Sequence, residues 1–157
     1  MSRAFVSEDA ATASADQLPD RPITPGPNPV TQRGLAMIDA ELDRLHALHE
    51  ATETDDPSRP AIARDLRYWR ARRASAQPVP DHDGTPEEVV FGSQVRLRRT
   101  GNGDVTYRIV GEDEADPAQG LLSWSSPLAE ALLGARVGEV VETGAGRPAV
   151  KVLTIAA

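Results

Sequence analysis

The sequence predicts an α+β protein: an N-terminal antiparallel helical hairpin, in effect a short coiled coil, followed by an antiparallel sheet carrying one helix. Three observations lead there. Between residues 35 and 76, apolar side chains recur at helical spacing on two arms separated by the proline-containing break "TETDDPSRP". From residue 88 the pattern changes to short β-rich runs punctuated by "TGNGD" and "GAGRP". Among those runs stands a single "SSPLAEALLGA", which reads as a capped helix with a glycine stop.

Residues 1–30 are rich in Ala, Ser, Asp and Pro, and bury too little apolar surface to offset the entropy of ordering. They are expected to form a disordered or extended N-terminal tail, and the prolines of "RPITPGPNPV" favour extended backbone at its end. A hairpin is expected over residues 31–78. Its first helix starts at Thr31 or Gln32 and fades near Ala51, with Leu35, Ile38, Leu42 and Leu45 at the 3-4-3 spacing of a two-helix seam. Gly34 costs about 1 kcal/mol relative to alanine, but in the first turn, where the loss is least. The second helix begins at Pro60 or Ala61 and brings Ile62, Leu66, Trp69 and Ala76 to the seam, with Arg73 at the position between the last two. At about 19 residues per arm the hairpin is roughly 28 Å long.

The remaining domain is expected over residues 82–157. "VVFGSQVRLRR" and "VTYRIVG" form a β-hairpin around "TGNGD", "LLSWS" adds a strand, and "GEVVET" and "AVKVLTI" close the sheet. Ser125 or Ser126 caps the helix, Pro127 takes its first position, Leu128, Ala131 and Leu132 form its apolar face, and Gly134 ends it.

The chain has 17 basic and 24 acidic residues, a net charge of −7, which argues against general nucleic-acid binding driven by net charge. The signs are segregated: residues 39–56 hold acids almost alone, and residues 59–73 hold six arginines with Asp65. With no cysteine, disulfide and thiolate chemistry are excluded. No apolar run reaches the roughly 20 residues of a membrane span, and the first residues lack the apolar core of a secretory signal. A cytoplasmic, monomeric protein that contacts no membrane is expected.

Strands, one Ser-Pro helix, then strands is an order with a known counterpart. "IVGEDEAD" followed by "SPLAEALLGARVGEVVE", with "FGSQV" and "TYRIVG" before them, resembles the C-terminal, FKBP-like domain of the GreA/GreB transcription elongation factors. "PNPVTQRGLAMIDAELDRL" and "RDLRYWRARRASAQPV" resemble the two arms of that family's coiled coil, so the similarity spans residues 23–157. The resemblance implies an accessory factor with no catalysis of its own. It would bind bacterial RNA polymerase through the globular domain, place the coiled coil in the secondary channel, and touch the transcript only indirectly. Acids at the coiled-coil tip would support a magnesium ion shared with the polymerase, and no other cofactor is implied.

The family's tip motif, of the form GDLSENAEY, is absent; "ETDDPSR" stands at the turn. Glu53, Asp55 and Asp56 are therefore the candidate tip acids, read either as magnesium support or as a polar loop. Pro57 restricts Asp56 to extended geometry, which does not guarantee a joint chelate by the two aspartates, and Glu53 is the candidate for a second oxygen. The expected outcome is polymerase binding with weak or absent stimulation of transcript cleavage. Glu112, Asp113, Glu114, Asp116 and Pro117, with Ser126, Pro127 and Leu128, are the candidate docking residues; the plainer reading is a solvated turn. Arg64, Arg67, Arg70, Arg72 and Arg73 either complement the acidic first helix or line the channel side near nucleic acid, and pairing with solvation is the expected reading. Trp69 and Trp124 are expected to be packed, and His46 with His49 lacks a third metal ligand. The FKBP-like fold does not bring prolyl isomerase activity, because Phe91, Tyr107 and Trp124 are too few for a proline pocket. Three functions compete: a cleavage-stimulating factor, a channel competitor without cleavage, and an interaction module resembling the regulator of nucleoside diphosphate kinase.

Overall fold

The computed structural model describes residues 17–144 and 146–157, so the tail reading for residues 1–16 lies outside the described residues. The chain divides into two compact units, residues 17–26 with Ile38–Ser75 and Pro27–Met37 with Ala76–Ala157.

The first unit is built on two helices, α1 (Gln32–Ala51) and α2 (Arg59–Ser75), of 20 and 17 residues; at 1.5 Å per residue they are about 30 and 26 Å long. The division falls within α1, whose residues up to Met37 belong to the second unit. Leu45, Ile62 and Leu66 are buried together, with Leu42 and Trp69 packed against them. The seam therefore runs through five of the residues that helical spacing selects, without Leu35 and Ile38. Two further positions differ. Ala76 leaves the seam because α2 stops at Ser75. The buried cation is Arg72, while Arg73 is exposed and its Nε reaches Asp39 Oδ1 on α1 at 2.5 Å.

Arg64 and Arg67 depart from the expected pairing with α1. Arg64 meets Asp65 of its own helix at 3.3 Å, and Arg67 meets Asp20 of the lead-in at 2.5 Å. Arg67 also donates to the Leu18 carbonyl at 2.9 Å, and Arg21 lays its guanidinium 3.8 Å above the Tyr68 ring. The lead-in from residue 17 has neither helix nor strand before Asn28, with a bend at Pro25 and Gly26, and these contacts anchor it along α2 where sequence periodicity gives no hint of it.

In the second unit, two short strands left unassigned by the sequence close on one another: β1 (Asn28–Val30) pairs in parallel with β2 (Ala76–Pro78). The Val79 N–H extends the ladder to the Val30 carbonyl at 2.9 Å. Gly111 lies so close to β1 that a Cβ there would fall 2.7 Å from the Pro29 carbonyl oxygen.

The main sheet holds β3 (Gln94–Arg99), β4 (Gly103–Val110), β5 (Leu121–Ser123), β6 (Val140–Val141) and β7 (Val150–Ala156) in the order β5–β4–β3–β7–β6. β3 and β4 pair antiparallel from Gln94↔Arg108 to Arg99↔Gly103, joined by a turn that holds Gly101 at φ 83°. That left-handed value explains the glycine. β7 pairs antiparallel with both β3 and β6. β5 departs from the antiparallel expectation and runs parallel to β4, with Arg108 opposite Leu121. The chain doubles back through the acidic turn and a 3-10 helix (Pro117–Gln119), so it enters β5 in the direction of β4.

Alternation along β3 puts Val95 and Leu97 on one face and Gln94, Arg96 and Arg98 on the other. The apolar face, with Ile109, Val150, Val152 and Ile155, is covered by α3 (Pro127–Leu132), whose Ala129 and Leu132 are fully buried. Trp124 packs against this core and Trp69 against the hairpin seam, as expected. No helix among the described residues is long and apolar enough to cross a membrane.

Candidate functional site

Two acidic loops carry the candidate site residues. The first joins α1 to α2 over residues 52–58. Glu53, Asp55 and Asp56 are all exposed. The Glu53 carbonyl accepts from the Asp56 N–H at 3.1 Å, and the Asp56 carbonyl from the Arg59 N–H at 3.0 Å, so the loop is a pair of tight turns. The Asp56 carboxylate is already engaged: Oδ1 accepts from the Ser58 N–H at 2.8 Å and from its hydroxyl at 2.6 Å. The Ser58 hydrogen bonds hold the Asp56 carboxyl below its usual pKa. This side-chain turn delivers the chain into α2. From the other side, Arg59 donates to the carbonyls of His49, at 3.1 Å, and Thr52, closing the end of α1. An open groove of about 440 Å³ lies beside the loop, lined by His49, Asp55, Asp56, Pro57 and Arg59 among others.

Of the three candidate tip acids, Asp56 thus serves the backbone, leaving the carboxylates of Asp55 and Glu53 on the surface. Among the described residues no group of three His, Asp or Glu side chains is arranged to hold a metal ion.

The second loop follows β4. Glu112 Oε1 accepts from the Ser125 hydroxyl at 2.9 Å, and that hydroxyl lies 3.0 Å from the Ser123 hydroxyl. Ser126 caps α3, its side chain accepting from the Ala129 N–H at 3.3 Å, with Pro127 exposed at the first position and Leu128 against the core. Asp116 is half-buried and extended, exchanging backbone hydrogen bonds of 2.9 and 3.0 Å with Leu121, and Pro117 is exposed beside it. Asp113 is half-buried. The turn and the start of α3 therefore form one connected surface, stapled by the Glu112–Ser125 bond.

Glu114 stands apart. It is only 5% exposed. Its Oε2 accepts from the Thr31 hydroxyl at 2.5 Å, and Arg33 Nη1 lies 3.7 Å from its Oε1. The Thr31 oxygen in turn accepts from the Gly34 N–H at 2.9 Å, the bond of a helix N-cap to the third residue of α1. In a local capping box that third residue is Glu or Gln. Here it is glycine, and the cap's hydroxyl, not its backbone N–H, donates to a carboxylate 83 positions away in sequence. A Cβ on Gly34 would lie 2.8 Å from Glu114 Oε2, so the glycine makes room for the acid. Sequence reasoning placed Glu114 with the other acids of the turn and missed Thr31, Arg33 and Gly34 as its partners. The available signal was a glycine at a position where a capping box places a carboxylate.

The chain is similar to known proteins over most of its length. Residues 84–157 match the family described as transcription elongation factor GreA/GreB, C-terminal. Over 139 residues the chain is 37% identical to transcription elongation factor GreA of Polaromonas naphthalenivorans (strain CJ2), covering 74% of this chain and 88% of that protein. Over 97 residues it is 38% identical to transcription elongation factor GreB of Neisseria meningitidis serogroup B (strain ATCC BAA-335 / MC58), covering 60% of each. A solved prokaryotic transcription elongation factor GreA/GreB from Nitrosomonas europaea superposes with a TM-score of 0.40 at 22% identity, over 85% of this chain and all of the other. With a GreA matched along most of both sequences, the chain belongs to the GreA/GreB family of transcription elongation factors.

Proposed function

We propose that this elongation factor binds RNA polymerase at the secondary channel, docking through the acidic turn and the start of α3 and acting on paused or backtracked complexes without catalysis of its own. The observation that supports docking most is the Glu112–Ser125 bond, which ties the acidic turn to the segment just before α3. Full-length protein carrying Asp113→Ala and Asp116→Ala should lose affinity for core polymerase in a titration while keeping its melting temperature within a few degrees. Unchanged affinity would overturn the docking assignment.

The tip supports the weaker of the two channel readings. A magnesium ion held by the polymerase would supply charge stabilisation and a nucleophile for phosphodiester cleavage. This chain's part would be to add carboxylate oxygens from its tip. Asp56 is occupied by Ser58, so the second oxygen beside Asp55 falls to Glu53. Stimulation of cleavage in stalled, backtracked complexes should be weak or absent, and Asp55→Ala with Asp56→Ala should remove whatever remains. Strong cleavage that survives the double substitution would refute the tip assignment; strong cleavage abolished by it would make this a cleavage factor proper.

A further inference from the structure

Residues 17–26 form a strap on the hairpin that neither the docking surface nor the tip reading uses. Arg21 meets residues 65 and 68 of α2, Leu18 and Asp20 meet Arg67, and Gln17 lines the groove beside the tip with Asp55, Asp56 and Ala63. The strap therefore runs antiparallel to α2, toward the loop that carries the tip acids. Its ten residues reach at most about 36 Å, enough to follow α2 along its length.

Charge holds the strap, not apolar burial. Among residues 17–26 only Arg21 is half-buried; the others are exposed, Leu18 and Ile23 included. Arg21 Nη1 lies 3.5 Å from Asp65 Oδ1, and the Tyr68 ring beneath its guanidinium stands edge-on to Trp69 at 5.2 Å. Glu41 of α1 feels the same cation. Its carboxyl is held below the usual range by the Arg44 hydrogen bond first, and Arg21 adds to the lowering. Asp20, which pairs with Arg67, keeps 74% of its side chain exposed.

Such contacts are individually weak. An exposed ion pair or cation–π contact multiplies an equilibrium constant by only about 1.5 to 5. Two pairs and one ring contact then favour closure by about 5- to 150-fold, before the entropy of ordering the chain is counted. Pro19, Pro22 and Pro25 keep that entropy small, because their φ is fixed in the open chain as well.

We infer that residues 17–26 are a releasable cover on α2, closed by charge and opened when that charge is screened or competed for. Closed, the cover withholds Asp65, Arg67 and the Tyr68 ring from any partner of the hairpin; open, it bares them. It also controls the tip. Gln17 and Arg67, one the end of the strap and the other its anchor, are both walls of the groove beside Asp55, so opening takes down one side of that groove. The trigger follows from the kind of contact. The screening length falls from about 10 Å at 0.1 M salt to about 3 Å at 1 M, which loosens exposed charge pairs and leaves the apolar hairpin seam in place.

The test uses the full-length protein without polymerase, so its outcome is independent of the docking and tip readings. The chain has no cysteine, so Leu18→Cys with Ala47→Cys directs spin labels to two sites alone, one on the strap and one exposed on α1. Double electron–electron resonance should give one narrow distance at about 50 mM sodium chloride, and the open-to-closed ratio should rise at least about threefold by about 1 M. Arg21→Ala and Arg67→Ala should each raise that ratio by at least about twofold at low salt. Asp20→Arg should open the strap, and adding Arg67→Asp should close it again, a recovery that misfolding does not produce. Each opening should also shift the Thr54 and Asp55 amide resonances, since both residues line the groove. The inference is overturned by a broad distance distribution at low salt with the strap otherwise unaltered, or by a distribution indifferent to salt. It is overturned equally by a charge swap that fails to reclose the strap, or by groove amides that stay unmoved when it opens.

Discussion

Residues 53–56 and 112–116 are acidic turns of similar composition, and their carboxylates meet opposite fates. In the hairpin loop all three acids stay at the surface, and the engaged one, Asp56, bonds to a residue two positions away. In the sheet domain Glu114 is buried and bonded to a residue 83 positions away, while Glu112 reaches Ser125. A charge cluster read along the sequence looks the same in both. What separates them is whether a helix N-terminus or a hydroxyl from elsewhere in the chain stands within reach. Each of the following substitutions tests that difference, in order of expected effect.

Glu114→Ala should be the most damaging of the acidic-turn substitutions. It removes a charged hydrogen-bond acceptor from a buried position, which costs about 1.5–3 kcal/mol, and leaves the Thr31 hydroxyl and Arg33 without it. Urea denaturation should show the loss, and amide exchange should localise it to the first turn of α1. Glu114→Gln keeps an oxygen for Thr31 and should recover part of the stability. If Glu114→Ala is as mild as an ordinary surface change, the carboxylate is a bystander and the two turns are alike after all.

Gly34→Ala sharpens the same point through its sign. Helix propensity favours alanine by about 1 kcal/mol. The added Cβ would meet Glu114 Oε2 at 2.8 Å, so the substitution should instead destabilise, by about 1–2 kcal/mol through overpacking. In a Glu114→Ala background the clash is gone and Gly34→Ala should turn neutral or stabilising. Additive effects in the double variant would mean that glycine and carboxylate do not share a site.

Much of this chain was legible before any coordinates. Of the residues that helical spacing selected, Leu42, Leu45, Ile62, Leu66 and Trp69 form the hairpin cluster, while Leu35, Ile38 and Ala76 lie outside it. The Ser-Ser-Pro start selected Ser126 and Pro127 at the head of α3. Such signals are local, set by residues three or four apart. What escaped was long-range: the parallel pairing of β1 with β2, the lead-in held on α2 by Arg21 and Arg67, and the partner of Glu114. None of these leaves a period in the sequence. Each joins segments 44 or more residues apart through a few polar contacts, which the composition of either segment alone does not announce.

Glu112→Ala should have a smaller effect, about 1 kcal/mol for a half-buried hydrogen bond to Ser125. Its value lies in separating stability from docking. If the bond staples the turn to α3, polymerase affinity should fall by more than the change in melting temperature suggests, and Ser125→Ala should reproduce it. A loss of stability with unchanged polymerase affinity would show that the staple is structural only.

The mildest test concerns Asp56, and it is a pH titration. Its carboxyl is held below the ordinary value of 3.8 by the Ser58 hydroxyl, and next by the Ser58 N–H. A depressed folded-state pKa means the ionised form is favoured by folding, so its contribution is present above the unfolded pKa and is lost as pH falls through the folded one. Fraying at the start of α2 should therefore begin only below about pH 3.8, and should be visible as exchange broadening of the Ser58 and Arg59 amides in an NMR titration. Asp55 serves as the internal comparison: Asp55→Asn should leave that onset where it is, whereas Asp56→Asn should abolish the pH dependence while keeping a side-chain oxygen for Ser58. The pair also bears on function. If Asp56→Asn leaves polymerase-dependent cleavage untouched and Asp55→Asn reduces it, the capping acid and the outward acid have separate tasks. If both reduce it equally, Asp56 leaves Ser58 when the tip is engaged, and the hairpin turn is less committed to its own backbone than the turn that holds Glu114.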